Sequence, residues 1–222
     1  MDMFERTRKI IDDEKINKLK NTSVLLVGVG GVGGSCLEML TRSGIASITI
    51  IDFDDFEESN LNRQILSLTN NIGKSKVLIA EERIKLINPN VLVKAINAKV
   101  DDNLSLPLTD YIIDACDSVP AKANLILNAK KYNKKIIVSL GIGNRVCPEL
   151  VCKSTLKESL SDPLGKKLNH YLIKKCDFNE NVNVICSKEK PIKSQPISSY
   201  VCTTSVAGIY LSDYVIKDII NG

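Results

Sequence analysis

The alternation of apolar and polar positions changes period several times along the chain. Residues 23–29 (SVLLVGV) form a short apolar run of strand character, which leads into the glycine run GVGGVGG at 28–34. SCLEMLTRSG then repeats its apolar positions at helical spacing, with Gly44 placed to stop the helix. Residues 47–51 (SITII) predict a second buried strand ending in Asp52. Residues 71–88 predict an amphipathic helix with Val77, Ile79, Ala80, Ile84 and Ile87 among its apolar positions, ended by Asn88-Pro89-Asn90. Strands are expected at 91–96, 111–114 and 135–140, with a helix at 120–132 between the last two.

Strand and helix signals that alternate in this way imply parallel pairing through right-handed crossovers. The expected fold is α/β, a Rossmann-like, mostly parallel sheet with helices on both faces. Beyond Gly143 the alternation breaks down. Asp162 and Pro163 signal a helix start, a capping residue before a first-turn proline. Residues 179–199 are polar and read as a loop, and 205–220 close with a helix. With no repeat and no linker, residues 1–222 read as one domain. Its nucleotide-binding core would span about 20–145, with a partly irregular, substrate-facing extension over about 146–222.

The loop at 28–34 carries the first chemistry. Gly28, Gly30, Gly31 and Gly33 lie between strand and helix, where small residues let backbone N–H groups approach phosphates at the positive helix end. Asp52 ends the next strand, where a carboxylate can accept hydrogen bonds from ribose hydroxyls. These features alone would suit a NAD(P)-binding module or dehydrogenase. The stretch FDDFEESNLNRQ, then GKSK and DACDS, points elsewhere. Asn60, Arg63, Gln64 and Lys76 supply donors, two of them cationic, Asp54 lies among them, and Asp117 follows a later strand. Cations to neutralise an ATP triphosphate and a carboxylate to hold Mg²⁺ are what phosphoryl or nucleotidyl transfer requires, and hydride transfer requires neither.

Composition adds limits. No apolar run approaches the roughly 20 residues of a membrane span, and the charged N-terminus lacks a secretory apolar centre, so a cytoplasmic protein is expected. The seven cysteines include no C-x-x-C pair, which reads as reduced, mostly buried thiols in place of a disulfide framework or zinc site. Segment 151–195 holds nine lysines and five acids, a surplus equal to the +4 of the whole chain. Such asymmetry suits a polyanionic partner. On the helix expected from Pro163, Leu164, Leu168, Tyr171 and Leu172 share one face, and Lys166, Lys167, His170 and Lys174 share the other. A lysine face without acids offers contacts to a nucleic-acid backbone and no base readout. Lys166, Lys167 and Lys174 are therefore expected to contact the phosphate backbone of a nucleic-acid partner and to add nothing to ATP affinity.

Taken together, LLVGVGGVGGSCLEMLTRSGIASITIIDFDDFEESNLNRQ, GKSK and DACDS resemble the ThiF/HesA/MoeB family, relatives of the ubiquitin-activating enzymes. The resemblance covers about residues 4–145. It implies ATP bound at Gly28 to Gly33, ribose at Asp52, phosphates at Asn60, Arg63 and Lys76, and magnesium at Asp117. It also implies that Arg8, in RTRKII, reaches across a homodimer interface into the partner's ATP site. After Leu140, GIGNRVCPELV, TLKESLSDPLGKKL, VICSKEKP and YVCTTSVAGIYLSDYVIKDI resemble the tRNA threonylcarbamoyladenosine dehydratase branch. That branch carries an acidic residue where Cys147 stands, and more arginine on the D-P-L helix. The implied activity is activation of a threonyl carboxylate on tRNA, as acyl-adenylate or acyl-phosphate, followed by its cyclisation. The alternative is adenylation of a ubiquitin-like sulfur carrier, a sulfur-relay partner, with Cys186 or Cys202 as the candidate thiol to take the acyl group.

Overall fold

The structure is a computed structural model that describes residues 2–194 and 196–222. Seven strands form one sheet: β1 (Ser23–Val27), β2 (Ser47–Asp52), β3 (Leu92–Asn97), β4 (Tyr111–Asp114), β5 (Lys135–Ser139), β6 (Val151–Thr155) and β7 (Asn183–Ser187). Their order across the sheet is β3-β2-β1-β4-β5-β7-β6. All neighbours are parallel except β6 and β7, which pair antiparallel at the edge.

Six α-helices connect the strands: α1 (Asp13–Leu19), α2 (Gly31–Ser43), α3 (Lys76–Ile87), α4 (Val119–Lys131), α5 (Pro163–Cys176) and α6 (Val201–Asn221). The two-residue period of β1 decides which helix goes where. Val24 and Leu26 join a core with Leu37 and Leu40 of α2, Ala80 of α3, and Ala207 and Leu211 of α6. Leu25 and Val27 point the other way and pack with Ala121, Leu125 and Ala129 of α4. A third apolar cluster joins α4 to Leu168 and Leu172 of α5. With both faces covered, β1 is apolar without a break from Val24 to Val27, as buried parallel strands tend to be.

The expected alternation is present up to β5. Three readings differ from the structure. The α3 helix starts at Lys76, not at residue 71, because Asn71 is spent upstream: its side chain accepts from the Leu68 N–H and donates to the Leu66 carbonyl, both at 2.7 Å. Gly73, at φ +79°, then turns the chain away from helical geometry. The polar stretch 179–199 is not all loop. It contributes β7, whose buried Val184, Ile185 and Cys186 lie between β5 and β6. The extension is partly irregular, as expected: β6 and β7 continue the sheet, while 177–182 and 188–194 form neither helix nor strand. The closing helix also begins earlier, at Val201.

The α6 helix crosses α2 at Gly208, where a Cβ would come within 2.2 Å of the Val32 carbonyl oxygen and 2.9 Å of the Cys36 nitrogen. Only glycine permits backbones this close. No helix of the described residues is long and apolar enough to cross a membrane.

Candidate active site

Strand order runs β1-β2-β3 in one direction and β4-β5 in the other, so the carboxyl ends of β1 and β4 flank a crevice where ligands bind in open α/β sheets. Gly28 leaves β1 at φ +85°, and a Cβ there would meet the Ala115 carbonyl at 2.8 Å. At Gly33 a Cβ would fall 1.8 Å from the Gly28 carbonyl oxygen, so the loop closes on itself only without a side chain. Gly30 is the N-cap of α2, and no side chain caps the helix. Its first N–H groups are left for an anion.

Asp52 ends β2, and its carboxylate accepts from the Val29 N–H at 2.7 Å and the Asp54 N–H at 3.0 Å. These bonds fix it beside the loop with lone pairs to spare. The segment after it folds back across the crevice, pinned by a Phe56 N–H bond to the Lys74 carbonyl at 2.9 Å. It carries a short 3-10 turn, Glu58–Asn60, in which the Asn60 side chain accepts from the Glu57 N–H. Lys76, only 7% exposed, reaches Asp54 at 2.8 Å. The resulting cavity of about 760 Å³ is lined by Gly28, Gly30, Asp52, Asp54, Asn60, Arg63, Gln64, Lys76 and Asp117. Gln64 is buried, and its Oε1 has no hydrogen-bond partner among the described residues. An unsatisfied buried acceptor beside a bare glycine loop fits a polar ligand. Gly33 lies beneath the loop and Gly31 faces away from this cavity.

Asp117 follows β4 and is exposed, with no hydrogen bond or ion pair among the described residues. Its loop is held by a pair that the sequence reading missed. Lys122 of α4 and Asp114 of β4 are both fully buried, with Nζ 3.2 Å from each carboxylate oxygen and 2.7 Å from the Ser139 carbonyl. Asp114 also accepts from the Cys116 N–H at 3.1 Å. The only hint in the sequence is a lysine set among the apolar residues of PAKANLIL. Burial, reinforced by the Asp114 charge, pushes the Cys116 thiol up, so it is protonated at neutral pH and a poor nucleophile.

A second chamber, of about 1070 Å³, opens from the first and shares Arg63, Ala115, Cys116 and Asp117 with it. Gly31, Leu164 and Lys167 line it as well. Its far wall is built around Arg145, which is 3% exposed, pairs with buried Asp162 at 2.6 Å, and donates to the Glu189 carbonyl at 3.0 Å. Asp162 also caps α5, accepting from the Gly165 N–H at 2.8 Å. The Glu189 carboxylate takes the Cys147 N–H at 2.9 Å and the Val146 N–H at 3.0 Å, which hold its pKa below the usual range. The GIGNR, D-P-L and S-x-E-x-P segments therefore meet in one cluster, although they are separated in sequence.

The remaining predicted residues lie apart. Lys166 and Lys174 are exposed on α5, outside both cavities, whereas Lys167 on the same helix lines the second chamber but not the nucleotide cavity. Arg8 lies in a 3-10 turn, Thr7–Lys9, bound to Asp2 and Asp13, and reaches neither cavity of its own chain. Of the cysteines, Cys36 and Cys186 are buried, four are partly buried, and Cys202 is exposed in the first turn of α6. All seven are free thiols, while "mostly buried" holds for fewer of them than expected.

A glycine loop at a helix start, a strand-end carboxylate and a cation-bearing return segment define an adenylating type of Rossmann-like domain. The ThiF family model matches residues 4–219, and the chain belongs to that family. It is similar to the tRNA threonylcarbamoyladenosine dehydratase of Haemophilus influenzae, with 34% identity over 85% of this chain and 74% of that protein. The Bacillus subtilis protein of the same name is 30% identical over 98% of this chain and 94% of the relative. Among solved structures, the Escherichia coli tRNA N6-threonylcarbamoyladenosine dehydratase in complex with ATP superposes with a TM-score of 0.93 at 28% identity, covering 99% and 94% of the two chains.

Proposed function

We propose that this protein is an ATP-dependent tRNA threonylcarbamoyladenosine dehydratase. The observation that carries the reading is the junction of two cavities at Arg63 and Asp117, which lets the phosphates of one ligand meet an acid group of another. In this reading residues up to about 145 hold ATP and those after it face the tRNA.

ATP fits the first cavity through the Gly28–Gly33 cradle, the Asp52 carboxylate, and the cations Arg63 and Lys76. Asp117 is a free carboxylate of the kind that holds Mg²⁺ together with phosphate oxygens, and the ion would offset charge on the phosphates. The threonyl carboxylate is already ionised at pH 7 and needs no general base. It attacks the α-phosphorus and expels pyrophosphate, and Arg63 and Lys76 stabilise the charge that develops. The carbamoyl group of the same side chain then closes on the activated carbonyl, AMP leaves, and water is lost overall. Ring closure is intramolecular, so holding the side chain in place suffices and no enzyme nucleophile takes part. The raised thiol pKa of Cys116 agrees with that.

With ATP and threonylcarbamoyl-modified tRNA, the purified protein should produce AMP, pyrophosphate and a tRNA nucleoside lighter by one water. Release of ADP in place of AMP would replace adenylation with phosphorylation. Turnover with a sulfur-carrier protein and none with tRNA would overturn the reading.

The same reading places the protein in the cytoplasm as a homodimer, with Arg8 completing the neighbour's site. Arg8 pairs with Asp2 and Asp13 and lines neither cavity of its own chain, which supports service to a neighbouring subunit. An Arg8→Ala protein mixed with a Lys76→Ala protein should regain part of the wild-type activity, since one site of each mixed dimer recovers both residues. No recovery despite demonstrated subunit exchange would count against the composite site.

A further inference from the structure

ATP accounts for the first cavity and leaves the larger chamber without an occupant. At about 1070 Å³ it matches the upper end of small-ligand pockets, roughly 300–1,000 Å³, and a threonyl group alone would leave most of it vacant. Its charges are unevenly committed. Asp162 is neutralised by Arg145 in a buried pair, and that pair has nothing left for a ligand. Lys167 and Lys193 line the chamber and form no ion pair among the described residues, while Asp117 belongs equally to the nucleotide cavity. The surplus facing the chamber is positive, and apolar Val119, Ile142 and Leu164 line it beside polar Ser139, Asn144 and Thr204.

Resting on the function proposed above, we infer that this chamber receives the whole modified nucleoside, swung out of its RNA strand, and that Lys167 holds the carboxylate to be activated. The reacting carboxylate hangs from the base on a short side chain and must reach Arg63 and Asp117, which line both cavities. A base stacked in an RNA loop cannot bring it there, and extrusion is the general solution for enzymes that work on a base. Apolar walls offset the lost stacking. Lys167 touches the chamber and not the ATP cavity, so it serves the substrate.

The same helix would then hold the RNA outside. Lys174 follows Lys167 by two turns on nearly the same stripe, ~10.5 Å along α5, and lies on the outer surface with Lys166. One helix thus carries a lysine for the flipped nucleoside and lysines for the phosphates of the flanking strand.

The test separates these roles by using the free threonylcarbamoyl nucleoside beside the modified tRNA. Lys167→Met should raise KM for both substrates by roughly tenfold or more, the loss expected for one bond between charged groups. KM for ATP should stay within about twofold, and Lys167→Arg should restore most of the loss. Lys166→Glu with Lys174→Glu should weaken tRNA and lower the salt dependence of its binding by up to ~1 unit of slope per lysine, leaving the free nucleoside unaffected. Leu164→Trp, which narrows the chamber, should weaken the nucleoside while ATP still binds. If the wild type cyclises tRNA but Lys167→Met keeps its KM for the nucleoside, or loses ATP affinity in parallel, the chamber assignment is overturned alone. A wild type that leaves modified tRNA unchanged overturns it together with the function it rests on.

Discussion

Asp117→Ala is expected to abolish turnover and to leave the folded chain intact. The side chain is exposed and has no partner among the described residues, so its removal takes no packing or hydrogen bond from the fold. It lines both cavities, where in the proposed reaction the charge of the phosphates would be met as the carboxylate attacks. Surface substitutions away from structural contacts change stability by roughly 0.5 kcal/mol or less, so the thermal midpoint should barely move. Loss of the only carboxylate that the two cavities share should cost far more in rate. Each tenfold drop corresponds to ~1.4 kcal/mol of barrier. Asp117→Asn should be nearly as inactive, because it keeps the shape and loses the charge. Single-turnover cyclisation assays beside thermal melts decide the matter. A variant that retains more than about a tenth of wild-type activity would show that Asp117 does not hold the metal.

The largest stability effect is expected at Lys122. Replacing it with Met removes one half of a fully buried ion pair and strands Asp114, whose two oxygens lose their ammonium partner. Breaking a buried pair from one side costs about 3–5 kcal/mol because a charge remains without compensation. For a domain of this size each kcal/mol shifts the midpoint by roughly 2–4 °C, so a drop of about 6–20 °C should be seen. Adding Asp114→Asn should recover much of the loss, since the amide oxygen can still accept from the Cys116 N–H without carrying charge. Denaturant titrations of the three proteins in the absence of nucleotide would read this directly. A single variant within about 1 kcal/mol of wild type would mean that the pair is hydrated and not buried.

How much of this was legible in the sequence depended on how local each feature is. The run from β1 through the glycines into α2 is contiguous, and so is the step to Asp52, and both were read correctly from period and residue type. Asn60, Arg63, Gln64 and Lys76 share a segment that returns over the crevice, and their donor chemistry suggested a common ligand before any contact was known. The β6 and β7 strands escaped because each is five residues long, and β7 (NVICS) is flanked on both sides by polar chain that reads as loop. Their pairing joins residues some 30 positions apart, a relation no local window contains. The Asp114–Lys122 pair looked like two ordinary charges because only the docking of α4 on β4 buries them. Lys167 shows the limit of helical periodicity. The pattern correctly placed it on the polar face of α5, but not that this face, at its N-terminal end, is also a wall of the second chamber.

The contact at Gly208 bears on when this protein becomes functional during its own synthesis. The backbone of α6 rests on Val32, in the first turn of α2, which presents its N–H groups to the glycine loop. Residues 201–221 leave the ribosome after every strand of the sheet, so the helix that braces the nucleotide loop is added after them. A nascent chain can pair β1 with β2 and β4 well before that, yet the far side of α2 stays uncovered until α6 arrives. Contacts that join such distant parts of a chain are the slow ones to form, because the loop between them must close first. Unfinished or prematurely released chains should therefore expose Leu37, Leu40 and the apolar face of the sheet. They would be ready clients for chaperones and proteases before they could trap ATP.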